Sequence, residues 1–305
     1  MKRFLRRVAA LLCVLFFVHA LTFFMVHSVR GGPFDSERQL PPEVEQALLA
    51  KYHLDESLPR QYVQALAGVF KGDLGPSLRY RGSQVSDILS EALPISMILG
   101  GGALLVALLF GLPAGLWAAR RRNQTADRFV LSATSLLMAL PNFVLAGAFV
   151  AWFSFAWRLL PPAGMGGLTH WVLPCLCLGL PFAAQIARIF RTSTLEALET
   201  PSSLAAKARG LDSRLLLRRH IFRTALMPVV AFLGPASAGL LTGSLVMEQV
   251  FALPGLGAHF VQAALNRDYT LALGATLLYT LILGVLSLLT DLLLSRLDPR
   301  VESFS

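Results

Sequence analysis

The feature that most limits what this chain can become is a recurring absence of charge. Runs without Asp, Glu, Lys or Arg cover 8–29, 92–119, 129–157, 159–187, 224–247 and 269–290. A helix rises 1.5 Å per residue, so about 20 apolar residues cross a hydrocarbon core roughly 30 Å thick. Each run is long enough. Pro161, Pro162 and several glycines break the start of the fourth, so that span is placed from Trp171 onward. A buried helix of a soluble protein would not stay uncharged over such lengths six times. Only 15% of the residues are charged, where a soluble domain carries about 25%. The expected class is an all-α integral membrane protein with six transmembrane helices.

Lys and Arg orient the spans. With the N-terminus inside, the inner segments hold Lys2, Arg3, Arg6 and Arg7, then Arg120–Arg122 and Arg128. They also hold every basic residue from Arg188 to Arg223, and finally Arg296 and Arg300. Most of the others fall in one long segment, 30–91, which crosses a membrane largely regardless of charge. The short outer loops carry one each, Arg158 and Arg267. Both termini are therefore expected to be cytoplasmic. The net charge of +9 then describes an inner surface facing anionic lipid, and nucleic-acid binding is not needed to explain it.

The chain divides accordingly into a cytoplasmic N-terminus with the first span (1–29), an external segment (30–91), a membrane domain with an inner loop about 188–225 (92–300) and a tail (301–305). Residues 1–29 have the basic start of a signal peptide, and Val18-His19-Ala20 is a passable cleavage site. Their apolar run is longer than a cleaved signal needs, so it reads as an uncleaved span. The external segment has two helical patterns. Val44, Leu48 and Tyr52 recur at i, i+4, i+8 after Pro41-Pro42. Leu58, Tyr62, Leu66 and Val69 follow between Ser57 and Phe70, and Gly72-Asp73-Leu74-Gly75-Pro76 closes them with turn chemistry. A small cap packed on the spans is expected.

Within the spans, Gly111/Gly115 and Gly239/Gly243 have the spacing that lets helix backbones approach. Pro113, Pro141, Pro174, Pro181 and Pro235 predict kinks. Cys13, Cys175 and Cys177 lie in apolar runs without nearby His partners and read as small apolar fillers, with no disulfide framework and no zinc site.

Catalytic signatures are missing. There is no G-x-x-x-x-G-K-[ST], no H-E-x-x-H and no G-x-S-x-G. Ionisable groups inside the spans are nearly absent; Glu248 and Asp291, the nearest, stand at span ends. A proton- or sodium-coupled carrier usually keeps a functional carboxylate or His at mid-membrane. No metal or cofactor site emerges.

The inner loop about 188–225 is the segment still to be explained. Thr194 to Arg209 reads as a helix, Gly210 permits a sharp turn, and Asp212 or Ser213 can cap a second helix. That second helix has like-charge pairs, Arg214/Arg218 and Arg219/Arg223, which cost a few tenths of a kcal/mol each in isolation. Ala205, Ala206, Ala208 and Gly210 make a corner with little side-chain bulk, suited to close contact with another protein. A plain basic juxtamembrane loop explains the charge equally well, and both readings stand on physics alone.

The stretch TLEALETPSSLAAKARGLDSRLLLRRHIFRTALMPVV resembles the EAA loop of ABC-transporter permeases, in particular the dipeptide/oligopeptide/nickel branch. Ala205, Ala206 and Gly210 fall on that motif, and Pro228 on its terminal proline. LPRQYVQALAGVFKGDLGPSL (58–78) is similar to the branch's outer segment. GSLVMEQVFALPGLGAHFVQAALNRDYTLALG (243–274) is similar to its fifth-to-sixth span connection. Where the family usually has a Tyr-Val-Arg-like triplet, this chain has Ser202-Ser203-Leu204, without the acidic residue that names the motif.

The resemblance implies the pathway subunit of an ATP-driven importer in a bacterial inner membrane, non-catalytic and without a cofactor of its own. A second, homologous permease would complete the pathway. Separate cytoplasmic subunits would bind ATP and take hold of the loop through Ala205, Ala206, Gly210, Arg214 and Pro228. An extracytoplasmic solute-binding protein would deliver the cargo, peptides or alternatively nickel or another small solute. Glu248, Arg267 and Asp268 would lie on the outer side as an ion pair tying the 248–268 segment down, or as substrate contacts. A self-contained secondary carrier and a membrane anchor for an enzyme are the readings from other classes.

Overall fold

The computed structural model describes residues 2–28, 42–52, 54–80, 82–217 and 221–297. The elements are α1 (Lys2–Ser28), α2 (Pro42–Lys51), α3 (Leu58–Lys71), α4 (Val85–Arg120), α5 (Thr125–Ala139) and α6 (Asn142–Phe149), which continues as a π-helical stretch Val150–Ala156. After them come α7 (Thr169–Leu198), α8 (Pro201–Ala208), α9 (Ser213–Leu216), α10 (Phe222–Val250), α11 (Leu256–Leu265) and α12 (Tyr269–Leu297). Among the described residues there is no strand, only an isolated bridge between Pro76 and Gln84.

Five helices (α1, α4, α7, α10 and α12) are long and apolar enough to cross a membrane. The sixth expected span, 129–157, is present but broken: α5 and α6 meet at 105° across Leu140-Pro141. Pro141 has no N–H to continue the ladder, and it pushes Leu140 into extended backbone, φ −85° and ψ 128°. The pair is one bent span or a re-entrant turn. Pro174 and Pro181 stay inside α7, and Pro228 and Pro235 inside α10, without ending either helix.

The chain forms two compact units, Met1–Ile95 with Pro254–Gly284, and Ser96–Leu253 with Val285–Ser305. The first is built on Val85, Leu89 and Ala92 of α4 against Leu256 and Ala263 of α11 and Leu271, Ala272 and Ala275 of α12. Glycine permits the closeness: a Cβ at Gly274 would stand 2.7 Å from Val85 Cγ1. The two short helices between α1 and α4 form as expected. Ser57 precedes α3, Pro59 sits in its first turn, and Gly72 ends it with φ 75°, the left-handed conformation glycine adopts without cost. Tyr62 of α3 lies 5.2 Å from the Phe23 ring and 5.5 Å from the His19 ring, so α3 packs on the first span.

In the second unit α7 is the central element: 56% of its apolar window is covered by protein, against 38% for α10. Its contact with α4 is backbone to backbone. A Cβ at Gly115 would fall 2.5 Å from the Ala187 carbonyl oxygen, one at Gly111 2.7 Å from that of Ala183, and one at Gly179 2.5 Å from that of Ala103. Cys175 fills the gap left by Gly102, and both Cys175 and Cys177 are buried thiols. Gly239 of α10 faces the Phe182 ring.

Candidate coupling surface and its supports

The basic loop is two helices, where the sequence suggests one from Thr194 to Arg209. α7 ends at Leu198, and Pro201 opens α8. Pro is at home in a first turn, where its missing N–H would be unpaired anyway. Thr200 caps the new helix, accepting from Ser203 N at 3.4 Å, and its hydroxyl also bonds the Ala197 carbonyl at 2.9 Å. The loop helix is thus tied to the end of a spanning helix.

α8 has two faces. Ser203 and Ala206, at i and i+3, are buried. Ala206 joins a cluster with Phe190 and Ala197 of α7, Leu216 of α9, and Ile221, Ala225 and Val229. On the other face Leu204, Ala205, Ala208 and Arg209 are open to solvent, and Leu204 is 54% exposed. Leu204, Ala205 and Ala208 together make a small apolar patch on that face. Gly210 follows with φ 78° and donates to the Lys207 carbonyl, turning the chain toward α9. No atom would obstruct a Cβ there; the conformation alone requires glycine. Arg214 lies in α9, but its side chain is outside the described residues, as are Arg218 and Arg219, so the like-charge pairs are too. Pro228 is exposed on α10 and borders a cavity of about 310 Å³ with Ser193, Glu196, Thr200 and Thr224.

A feature that sequence reasoning passed over supports this surface. Asp127, buried near the start of α5, accepts both Nε (2.6 Å) and Nη2 (2.7 Å) of Arg191 on α7 and the backbone N–H of Asn123 (2.8 Å). One turn earlier on α7, Arg188 reaches the same helix and donates to Thr134 Oγ1 at 3.0 Å and to Ser135 Oγ. Two arginines thus clamp α5 to α7, two to three turns before the end of α7. Asp127 is an isolated acid in the basic run Arg120–Arg128, the one signal the sequence offers. Arg122 and Glu199 pair at 2.7 Å, but both are exposed, so the pair adds little.

Glu248 belongs to the second compact unit, Arg267 and Asp268 to the first. Glu248 is fully buried near the end of α10 and accepts from Ser96 Oγ at 2.7 Å. Asp268 is buried at the N-terminus of α12, where its carboxylate accepts from Leu271 N at 3.1 Å. The same carboxylate receives Ser77 Oγ and the backbone N–H groups of Leu78 (3.2 Å) and Arg79 (3.3 Å), pinning the 77–79 loop to α12. Arg267 occupies a left-handed corner, φ 57°.

Comparison with known proteins adds the following. Residues 111–303 match the family described as "Binding-protein-dependent transport system inner membrane component". The chain is 39% identical over 304 residues to the oligopeptide transport system permease protein OppB of Haemophilus influenzae, covering 99% of each chain. It is 37% identical over 298 residues to the dipeptide transport system permease protein DppB of Bacillus subtilis, covering 98% of this chain and 97% of that one. Two solved structures share the fold across 69% of this chain. One is an amino acid ABC transporter with histidines (17% identity, TM-score 0.55, 94% of that chain). The other is the inward-facing MetNI methionine ABC transporter (17%, 0.54, 96%).

Proposed function

Since the chain belongs to the family of binding-protein-dependent transport system inner membrane components, we propose that it is the pathway subunit of an ATP-driven importer of di- or oligopeptides. The observation that carries this reading is the similarity, almost end to end, to permeases of oligopeptide and dipeptide systems. It is a multi-pass protein of the bacterial inner membrane, and its partners are an ATPase and a substrate-binding subunit. A second, homologous permease completes the pathway. ATP is bound and hydrolysed by the separate subunit, and this chain carries no catalytic group.

α8 is the part an ATPase would hold, on the cytoplasmic side. Its open face offers Leu204, Ala205 and Ala208 to a cleft. Its buried face, through Ala206, joins α7 and α10, so displacement of α8 is transmitted to two spanning helices rather than absorbed in a loop. The Asp127–Arg191 clamp extends that rigid body to α5. Coupling needs such an element with two positions, biased differently by the ATPase's nucleotide states. Gly210 and Pro228 flank it, and Glu248, Arg267 and Asp268 serve structural roles at the outer side.

The test is reconstitution of this chain with its partner permease, ATPase and binding protein in liposomes. Uptake of a labelled tripeptide should require ATP inside and binding protein outside. Uptake driven by an ion gradient without the ATPase would overturn the reading in favour of a secondary carrier. Nickel uptake without peptide uptake would replace the cargo and leave the mechanism.

A further inference from the structure

In the unit formed by Met1–Ile95 and Pro254–Gly284, two cavities follow one another along the same pair of spanning helices. One, of about 360 Å³, is bordered by His19 and His27 of α1, Lys51 of α2, Gln64 of α3 and Thr270 of α12. The other, of about 400 Å³, is a groove among Leu15, Leu89, Leu93, Leu278 and Leu281. Val69, Leu74, Gly274 and Leu277 border both, so the two cavities adjoin. Its lining runs from His27 through His19 to Leu15 along α1, and from Thr270 through Leu277 to Leu281 along α12. Each path is eleven or twelve residues, roughly 17 Å at 1.5 Å per residue. One leaflet of a ~30 Å hydrocarbon core is ~15 Å deep. The space is polar where the spans end and apolar half a bilayer further in.

Its polar end has unmet hydrogen-bonding capacity. His19 is only 2% exposed, and its Nδ1 has no hydrogen-bond partner among the described residues. The same holds for Nε2 of His27, whose other nitrogen bonds the Phe23 carbonyl. A buried polar atom left in this way costs about 1–3 kcal/mol. Lys51 adds a cation at the rim. α3, the opposite wall, exposes Val63 and Phe70 (83%) beside Lys71, the pattern of a helix lying at a headgroup boundary. The cavity mouth is therefore where phospholipid headgroups are.

We propose that these adjoining cavities hold one glycerophospholipid, its phosphate on Lys51 at the mouth and one acyl chain along the Leu15–Leu281 groove. Asp73, also at the cavity, opposes a second negative charge on the ligand, so the headgroup is an amine-bearing one such as phosphatidylethanolamine. The site lets lipid seal α3 against α1 and α12. It rests on the membrane-spanning reading of those helices and not on the cargo, so failure of peptide uptake would leave it standing.

Native mass spectrometry of the purified importer complex, delipidated and then mixed with phosphatidylethanolamine vesicles, tests this. One phospholipid should remain bound per copy of this chain. Lys51→Gln should weaken its retention about fivefold, the worth of one Lys beside a lipid phosphate. Leu281→Trp, which fills the groove from a half-open position, should remove it while lipid-free thermal stability stays at the wild-type value. Equal retention by both variants, or none by the wild type, overturns the proposal. So does displacement of the lipid by inorganic phosphate alone, since an anion site has no use for the groove. Cross-linking of Leu281→Cys to another subunit would also overturn it, because protein would then occupy that space.

Discussion

Asp268 shows how far one carboxylate can organise a turn. It caps α12, and it also collects two backbone N–H groups and a hydroxyl from the 77–79 loop. Removing it leaves several buried donors unpaired at about 1–3 kcal/mol apiece. Asp268→Ala should therefore destabilise the purified protein by about 3 kcal/mol, seen as a large fall in its thermal unfolding temperature. Asp268→Asn, which still accepts from two donors, should lose about half of that. An alanine variant as stable as the wild type would refute the pinning role. Gly210 is simpler: its φ of 78° costs a non-glycine residue about 1–2 kcal/mol, and nothing crowds its Cβ. Gly210→Ala should keep normal membrane levels and lose part of its transport, whereas Gly210→Asn, a residue that tolerates this conformation, should lose less.

At the scale of elements, α8 separates two alanines the sequence presents as equivalent. Ala206→Glu would place a charge among Phe190, Leu216 and Ile221 and should abolish accumulation of folded protein. Ala205→Glu sits on the open face and should leave membrane levels unchanged while peptide uptake and peptide-stimulated ATPase activity fall at least about tenfold, the effect of ~1.4 kcal/mol lost at a docking contact. Normal uptake by Ala205→Glu at normal abundance would show that an ATPase does not hold this face. A neighbouring support gives a second element-scale expectation. Asp127→Ala strands Arg191, whose side chain is 17% exposed, and should cost about 2 kcal/mol, less than the 3–5 of a fully buried pair; loss of that difference in an Arg191→Ala background, measured as a double-mutant cycle, identifies the clamp. The comparison also shows what sequence can and cannot reveal. Spans, the α2–α3 pair and the glycine contacts of α4 with α7 were legible, because membrane crossing and close approach leave composition signals that need no tertiary knowledge. The 105° break at Leu140-Pro141 was not, since proline inside a span is compatible with a gentle kink, as Pro174 and Pro181 show. Nor was the split of the loop at Thr200: helical periodicity continues straight through a Pro in a first turn. The Arg188 and Arg191 contacts with α5 depend on two distant helices meeting, which local patterning cannot report.

At the scale of the whole molecule, the proposed function puts the energy source outside the chain. Among the described residues, five long apolar helices and one bent pair are the candidate spans. Glu248, the most buried acid, already receives the Ser96 hydroxyl. If that carboxylate were a proton carrier, Glu248→Gln would abolish transport at every pH. If it is structural, Glu248→Gln, which still accepts from Ser96, should transport with an unchanged pH profile and remain strictly dependent on the ATPase. Proteoliposomes measure both: tripeptide uptake across pH 6–8, with ATP inside and then with a proton gradient alone. Retained, ATP-dependent uptake in the Gln variant fits a passive pathway rocked from α8. Abolished uptake in a variant that folds and still stimulates the ATPase would instead mean that the pathway moves a charge of its own, and that α8 shares control of the cycle with the outer end of α10.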